Sequence, residues 1–503
     1  MLAYRFFRSL RNVAVAVLLA AVLMPAGAAL ADDSVTIGNL TFVNKGLVGA
    51  GRIAADLRDK FGETFGSGSS LAVDAGSWTR TADGYQGTFY VLPDRGWNTT
   101  GTFDYRARLN KLSIAFKPRE ASAPAIEARQ RSVVATLTDT ILLTDAAGGP
   151  LTGLDPSEGG IRRAANGFPD LPQAASGRAS MDAESLVLLP DGGFFIGDEY
   201  GPYIYRFSAA GRMLAAIRPP EAFIPKRKGR DHFSSNNPGP GAAAPDPGNP
   251  ESGRQNNQGF EGLALTPDGR LLVAALQSAT RQDGGTSQET RQYARLLYYD
   301  VSNLNLPRMT REYVLPLPVF DNAEGKKRIA AQSELLALDE TRFLLLCRDS
   351  GNGYGMAGTT SHYRKIELVD ASQATNIAGS NYDGTVPVAP GGKLADGIVP
   401  ATLKPFIDLN DNLQLGKFGL RNGEPNDRNN LSEKWEGMAL VPALDPAFPR
   451  DFFLFVVNDN DFITQNGFQV GAAYKDPSGV ELDTMILVYR VTLPQFSAIV
   501  PSR

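Results

Sequence analysis

The sequence predicts an all-β fold, and two observations lead to this prediction. The 503 residues include 52 glycines and 33 prolines, about one residue in six, which favours many short strands joined by turns. One hairpin pattern, made of a short apolar strand, a turn and a second apolar strand, recurs through most of the chain. Beyond residue 31, no segment is long and apolar enough to span a bilayer, so no membrane span is expected there.

The first 31 residues are predicted to be a signal peptide. Three arginines lie among the first eleven residues, Val13–Leu23 is an uninterrupted apolar core, and Ala29–Ala31 has the small-residue pattern of a cleavage site after Ala31. A retained membrane anchor is the alternative, because the 19 residues from Val13 are uncharged. Pro25 and Gly27 favour cleavage, so we expect a periplasmic or secreted protein with no membrane insertion after cleavage.

Charge and residue usage exclude several classes of function. Loss of the three N-terminal arginines changes the formal charge from −4 to −7, which argues against nucleic-acid binding. Cys347 is the single cysteine, so the chain has no internal disulfide and no thiolate metal site. The only histidines are His232 and His362, too few for chemistry that needs several imidazoles. A single G-x-G-x-x-G match, Gly353–Gly358, precedes a strand-like stretch and is interpreted as a turn.

Four hairpins begin with a glutamate placed directly before an apolar strand. They start at "MDAESLVLL" (181–189), "GFEGLAL" (259–265), "QSELLAL" (332–338) and "KWEGMAL" (434–440). The segment 69–98 has the same outline but carries Ser69 and Ser70 where the glutamate would fall. We interpret it as a fifth copy of the hairpin.

The spacing of the copies predicts a β-propeller of five to seven blades with long loop insertions, in one domain over residues 32–503. The four glutamates are separated by 77, 73 and 102 residues, more than a common blade of about 40–50, so each interval holds further strands and insertions. The Pro-, Gly-, Ser- and Asn-rich segment 218–258 is the longest predicted loop. The last strand, 483–493, is expected to pair near the N-terminal region. A pair of β-sandwiches or an irregular barrel is the alternative fold.

In such a fold the first strand of each blade lines a central channel, so the glutamates would converge there. Two carboxylates 4 Å apart repel by about 4 kcal/mol at an effective dielectric of 20, so the cluster needs cations, protons or arginines. Acids at the ends of the second strands could join it. The predicted metal ligands are Glu184, Asp198, Glu199, Glu261, Glu334, Glu436 and Asp459. Oxygen ligands favour calcium, with Mg²⁺ or Mn²⁺ as alternatives. Each glutamate could instead be a structural latch, which means that its carboxylate accepts hydrogen bonds from backbone N–H groups of the neighbouring blade.

These segments resemble the phytase-like family, also described by an esterase-like activity of phytase, of exported bacterial proteins. The features that carry the resemblance are "DAESLVLLPDGGFFIGDEYGPYIYRF", "NNQGFEGLAL", "QSELLAL" and "KWEGMAL", and the similarity extends over most of residues 39–491. The resemblance implies an exported β-propeller, acidic residues that hold calcium, and hydrolysis of phosphate esters. Ser69 and Ser70 depart from the pattern and argue against a complete ring of glutamates.

The predicted function is therefore a calcium-dependent hydrolase of a small phosphorylated ester. Glu261 and Glu184 are the candidate catalytic carboxylates. The candidate substrate-binding cations are Lys226, Arg254, Arg95 and Arg348. One alternative is a calcium-dependent lactonase or carboxylesterase. The other is a non-catalytic binding protein with a structural metal.

Overall fold

The computed structural model describes residues 33–119, 130–156, 159–494 and 496. Strands dominate these residues, so the predicted mostly β character is confirmed. The predicted signal peptide, residues 1–31, lies outside the described part. Among the described helices, none has the length and apolar character needed to cross a membrane.

The first sheet is built from the N-terminal third of the chain. The strands of this region are β1 (Asp33–Ile37), β2 (Leu40–Ile53), β3 (Ser70–Val73), β4 (Thr79–Thr81), β5 (Gly84–Leu92), β6 (Arg108–Phe116) and β7 (Val133–Leu142). Strands β3, β5, β6 and β7 pair antiparallel in that order, and β4 pairs with the outer part of β5.

Three four-stranded antiparallel sheets follow, each made of consecutive strands. The short ribbon β8 (Ile161–Arg162) with β9 (Leu171–Pro172) precedes the second sheet. The second sheet is β10 (Ala183–Leu188), β11 (Phe194–Asp198), β12 (Ile204–Phe207) and β13 (Met213–Ile217). After the ribbon β14 (Lys226–Arg227) with β15 (Arg230–Asp231), the third sheet is β16 (Phe260–Leu265), β17 (Leu271–Leu276), β18 (Tyr293–Asp300) and β19 (Arg308–Pro316).

The fourth and fifth sheets complete the chain. After the ribbon β20 (Val319–Asp321) with β21 (Lys327–Ile329), the fourth sheet is β22 (Ala331–Ala337), β23 (Arg342–Arg348), β24 (Arg364–Asp370) and β25 (Thr402–Asp408). The remaining strands are β26 (Trp435–Pro442), β27 (Asp451–Asn458), β28 (Gly467–Gln469), β29 (Ala472–Tyr474) and β30 (Thr484–Thr492). The fifth sheet has the order β26, β27, β30 and β2, so the last strand pairs with the N-terminal region as expected. A single parallel pair, Gly51 with Val133, also joins β2 to β7, so the fifth and first sheets are continuous as one ten-stranded sheet.

Helical structure is confined to short turns. The described helices are α1 (Asn412–Leu415), five 3₁₀ turns (Ala75–Ser77, Glu221–Phe223, Asn381–Asp383, Pro390–Gly392 and Gly416–Phe418) and a π-type turn (Arg281–Gly285). The predicted long loop, 218–258, contains one of the 3₁₀ turns and the β14–β15 ribbon. Arg227 stabilises this loop because its guanidinium donates to four backbone carbonyls and to Asn256 Oδ1.

A separate apolar core lies between each sheet and the next. The five main cores join the first sheet to the second, the second to the third, the third to the fourth, the fourth to the fifth, and the fifth to the first. In β23, Leu344 and Leu346 contact one core, whereas Phe343, Leu345 and Cys347 contact the next. Because both faces of the strand are buried, it reads as an apolar run without alternation.

The first strands of the five sheets contact one another in succession. Strand β3 contacts β10, β10 contacts β16, β16 contacts β22, β22 contacts β26, and β26 contacts β3. Glycines permit this close approach: a Cβ on Gly262 would lie 3.0 Å from the Leu335 Cβ, and one on Gly437 would lie 2.9 Å from the Leu71 nitrogen. The starts of these five strands therefore lie near each other.

Candidate acidic site

Three of the four predicted glutamates occupy the same position in their hairpins. Glu184, Glu261 and Glu436 each lie at a β-bulge, where the register between the first and second strand shifts by one residue. A bulge is a place where a strand redirects a side chain out of its regular alternation. All three carboxyl groups are buried.

Glu334 occupies a different position, since Ser333 is the bulge residue of its hairpin. The Glu334 carboxylate accepts hydrogen bonds from the Ser70 hydroxyl at 2.6 Å and from the Leu335 nitrogen at 2.9 Å. The Ser70 hydroxyl oxygen also accepts a hydrogen bond from the Leu186 nitrogen at 3.1 Å. Glu334 therefore has the contacts of the structural latch and links three first strands.

Glu261 and Glu436 differ from Glu334, because each of their carboxylates keeps one oxygen without a hydrogen-bond partner in the described structure. Gln277 donates to Glu261 Oε1 and Arg348 donates to Glu436 Oε1. Glu261 Oε2 and Glu436 Oε2 are buried and accept no hydrogen bond from the described residues. Burial raises the pKa of Glu261 well above its usual range, and the nearby Glu199 charge raises it further.

Asp94, Asp182 and Glu184 form one group of converging carboxylates. One oxygen from each of the three lies within 4.8 Å of the others. Asp182 Oδ2 accepts a hydrogen bond from Arg95, whereas Asp182 Oδ1 is buried without a partner in the described structure. Burial raises the pKa of Glu184 well above its usual range, and Glu261 and Asp182 add to this effect. The group combines three acids with one arginine.

A second group shares Asp94 with the first. Oxygens of Asp94, Asp459 and Asp461 also lie within 4.8 Å of one another. The Lys434 ammonium contacts Asp459 Oδ2, lies 2.9 Å from Asp461 Oδ1 and lies 3.6 Å from Glu436 Oε2. These contacts raise the Lys434 pKa above its usual value despite burial. We call the two groups the Asp182 triad and the Asp459 triad.

Asp198 is the last residue of β11 and Glu199 follows it, and the two differ in their roles. Asp198 accepts hydrogen bonds from the backbone nitrogens of Asp182, Tyr200 and Gly201, at 2.8, 3.3 and 2.8 Å, so it stabilises the turn. Glu199 Oε1 accepts from the Gly259 nitrogen at 3.0 Å, and Glu199 Oε2 is buried without a partner in the described part. Burial raises the pKa of Glu199 to about 8.

The centre as a whole has more acids than cations. We define the acidic centre as Asp94, Asp182, Glu184, Glu199, Glu261, Glu436, Asp459 and Asp461. Three cationic side chains pair directly with its members: Arg95, Arg348 and Lys434. Eight carboxyl groups against three cations leave five negative charges when all are ionised. Protons or further cations must reduce this excess in a buried environment.

The four predicted substrate-binding cations separate into two pairs. Arg95 and Arg348 lie in the acidic centre, on Asp182 and Glu436. Arg254 is fully buried and donates to the backbone oxygens of Tyr200, Phe233 and Gln255, so its donors are already used. Lys226 pairs with Glu221 at 3.0 Å and Asp231 at 2.7 Å within the 218–258 loop. The structure does not bring these last two into contact with the acidic centre.

Asp94, Asp182 and Asp461 of the centre, and its cation Lys434, are not among the ligands predicted from the sequence, although the sequence carried a signal for two of these four residues. Asp182 and Lys434 each lie two residues before a bulge glutamate, Glu184 and Glu436. The pattern charged-x-Glu at the strand start would have selected both residues.

Comparisons with known proteins relate this arrangement to a family. A family model described as "Phytase-like: Esterase-like activity of phytase" matches residues 64–462. A protein of Arthroderma benhamiae, described as an uncharacterized secreted protein, is 41% identical over 462 residues that cover 86% of this chain and 89% of the relative. Because this relative is fungal, the similarity is not confined to the exported bacterial proteins expected.

Similarity to solved structures is weaker. The periplasmic gluconolactonase of Pseudomonas aeruginosa is 14% identical with a TM-score of 0.26, covering 84% of this chain and 89% of that chain. The WD40 domain of Toxoplasma gondii coronin is 10% identical with a TM-score of 0.26, covering 94% and 95%. TM-scores this low carry no argument about this chain.

Proposed function

Because the chain belongs to the phytase-like family, described by an esterase-like activity of phytase, we propose that it hydrolyses phosphoric esters at the acidic centre with a bound divalent cation. The observation that carries the proposal is the pair of carboxylate triads that share Asp94. We propose that the protein is exported, because residues 1–31 have the pattern of a signal peptide and the 41% identical relative is described as secreted.

The donor set fits a hard cation. Asp182 Oδ1 is buried without a hydrogen-bond partner in the described structure, and it belongs to the triad with Asp94 and Glu184. An unpaired buried carboxylate oxygen is costly, and a cation beside it would remove that cost. All donors of the triad are carboxylate oxygens, which favours calcium over zinc, with Mg²⁺ or Mn²⁺ as alternatives. Asp94, Asp182 and Glu184 would hold the cation.

We infer that the five sheets are the blades of a closed five-bladed propeller. Two observations support this inference: the first strands contact one another in a sequence that returns from β26 to β3, and an apolar core lies between every sheet and the next. The starts of the first strands would then meet near the propeller axis. This arrangement explains why carboxylates from distant parts of the chain converge.

The residues around the triad have the properties that ester hydrolysis requires. A bound cation would supply positive charge to the phosphoryl oxygens and lower the pKa of a bound water. Glu261 is our candidate to accept a proton from that water, because its Oε2 is unpartnered in the described structure and its pKa is raised. Arg95 and Arg348 place guanidinium groups in the same centre, where they would bind phosphate oxygens.

The test is hydrolysis of p-nitrophenyl phosphate, bis-p-nitrophenyl phosphate and phytate by residues 32–503, with calcium and with EDTA. We expect calcium-dependent turnover that falls at least about a hundredfold in Glu261→Gln, since general-base catalysis contributes about 10²–10⁴-fold. Glu334→Gln is the matched control because it alters a buried glutamate of the same hairpin pattern that acts as a latch. Turnover that is unaffected by EDTA, or equal loss in both variants, would contradict the proposal.

A further inference from the structure

The two triads differ in their contacts with protein cations: Lys434 contacts two acids of the Asp459 triad, whereas Arg95 contacts one acid of the Asp182 triad. We propose that Lys434 is a built-in cation that takes the place of a second metal ion, so that the centre binds one divalent cation, at the Asp182 triad. This inference rests on the proposed function, because it concerns the metal content of the same centre. It also makes Lys434 the group that favours an anionic substrate beside the bound ion.

The contacts of Lys434 are those of a cation in a carboxylate site. Its Nζ contacts Asp459 Oδ2, lies 2.9 Å from Asp461 Oδ1 and lies 3.6 Å from Glu436 Oε2. An ammonium group is a compact point charge with three donors, so it resembles a small metal ion more closely than a guanidinium does. Two of the three acids of the Asp459 triad thus contact the single positive charge of this side chain.

The backbone fixes Lys434 in this place. The Lys434 carbonyl accepts a hydrogen bond from the Asp459 nitrogen at 2.8 Å, so the lysine and this aspartate face each other across the hairpin. The next residue, Trp435, is fully buried and donates from its indole to the Ser432 oxygen at 3.1 Å. These contacts hold the backbone of Lys434 on both sides, at the position from which its side chain reaches Asp459 and Asp461.

The two triads differ in how many of their carboxylate oxygens accept hydrogen bonds. Asp459 Oδ1 accepts from the Asp461 nitrogen at 2.6 Å, and Asp459 Oδ2 accepts from Lys434 and from the Ser69 hydroxyl at 3.4 Å. Both oxygens of Asp459 therefore have partners. In the Asp182 triad, Asp182 Oδ1 is buried and has no hydrogen-bond partner in the described structure.

Arg95 does not take the place of a metal ion in the Asp182 triad, as Lys434 does in the Asp459 triad. Its guanidinium donates to Asp182 Oδ2, and the guanidinium carbon Cζ lies 5.9 Å from the centre of the Tyr200 ring. This single pairing leaves Asp182 Oδ1 without a partner in the described structure, whereas Asp94 Oδ1 accepts hydrogen bonds from the Gly96 nitrogen and the Ser67 hydroxyl. The positive charges of Arg95 and Lys434 would repel a divalent ion at this triad, and the three carboxylates would offset that repulsion.

The position of Lys434 also predicts the kind of substrate. About a fifth of its side chain, 19%, is exposed, beside Asp461 at 34%, whereas Asp459 and Glu436 are almost fully buried. An approaching ligand would thus meet the Lys434–Asp461 ion pair before the two buried carboxylates. A lysine beside a metal ion favours an ester with a negatively charged oxygen, as in a phosphate monoester.

The test is the stoichiometry of calcium binding to residues 32–503, measured by isothermal titration calorimetry. We expect one ion for the wild-type protein, one for Lys434→Arg and two for Lys434→Gln, because loss of the ammonium frees the Asp459 triad. Two ions in the wild-type protein, or one ion in a folded Lys434→Gln variant, would overturn the inference and leave the proposed function standing. No binding to the wild-type protein would instead overturn the proposed metal site itself.

A second measurement covers the case in which Lys434→Gln does not fold. Crystals of the wild-type protein soaked in Mn²⁺ should show one anomalous peak, in contact with Asp182 and Glu184. A peak in contact with Asp459 would show that the metal displaces the lysine, and the inference would be wrong.

Discussion

Glu199→Gln should stabilise the metal-free protein, and the stabilisation should depend on pH. Glu199 is fully buried, its Oε1 accepts a hydrogen bond from the Gly259 nitrogen, and its Oε2 has no partner in the described structure. Burial raises its pKa to about 8, and Asp182 acts in the same direction. Glutamine keeps the shape and an oxygen that can accept from Gly259, but it carries no charge.

The magnitude follows from the difference in pKa between the folded and unfolded states. With a folded pKa of about 8 and an ordinary value of 4.5, the folded protein binds more protons than the unfolded one between these pH values. Stability is therefore lost as pH rises through this interval. At about 1.4 kcal/mol per pH unit, the loss is about 3 kcal/mol at pH 7 and about 5 kcal/mol above pH 8. Glutamine avoids this loss.

Urea unfolding in EDTA at pH 5, 7 and 8.5 measures the effect. We expect Glu199→Gln and the wild-type protein to differ by less than about 1 kcal/mol at pH 5 and increasingly at the higher values. Glu324→Gln is the control, since this glutamate is exposed and should change stability by less than about 0.5 kcal/mol at each pH. A difference that stays constant with pH, or a variant less stable at pH 8.5, would refute the reasoning.

Three further predictions concern the remaining buried groups. Arg348→Met leaves the Glu436 carboxylate buried without its partner, so it should lower the free energy of unfolding by about 3–5 kcal/mol, and adding Glu436→Gln should restore part of it. Ser70→Ala removes the hydroxyl that donates to Glu334 and should cost about 1–3 kcal/mol in urea unfolding. Cys347 is fully buried with a raised thiol pKa, so a thiol reagent at pH 8 should label it only as fast as the protein unfolds; immediate labelling would contradict this.

The repeated hairpin could be predicted from the sequence because both of its strands are apolar and its turn residues recur. The number of sheets could not, since the fifth sheet combines β26, β27 and β30 with β2 from the other end of the chain. Pairing between strands so far apart has no local signal in the sequence. The 218–258 loop was recognised by composition, but the anchoring of Arg227 and Arg254 on backbone carbonyls depends on the folded path.

Only part of the acidic site could be predicted, because a β-bulge, like long-range strand pairing, leaves no local signal in the sequence. Glu184, Glu261 and Glu436 share a bulge position, whereas Glu334 looks identical in the sequence and lies one residue further along its strand. A shift of one residue changes the direction of a side chain, and spacing from an apolar run does not reveal a bulge. Glu334 therefore became a latch with the same local sequence.

Glu334 differs from the glutamates of the acidic centre in its hydrogen bonds. A structural glutamate in this fold has both oxygens hydrogen-bonded, as Glu334 does. Glu199 and Glu261 are equally buried, yet each keeps one oxygen without a partner in the described structure, and Glu436 Oε2 accepts no hydrogen bond and lies 3.6 Å from the Lys434 ammonium. Each unpartnered oxygen costs about 1–3 kcal/mol. These costs, together with the excess of acids over cations, support our proposal that a cationic ligand binds at the centre.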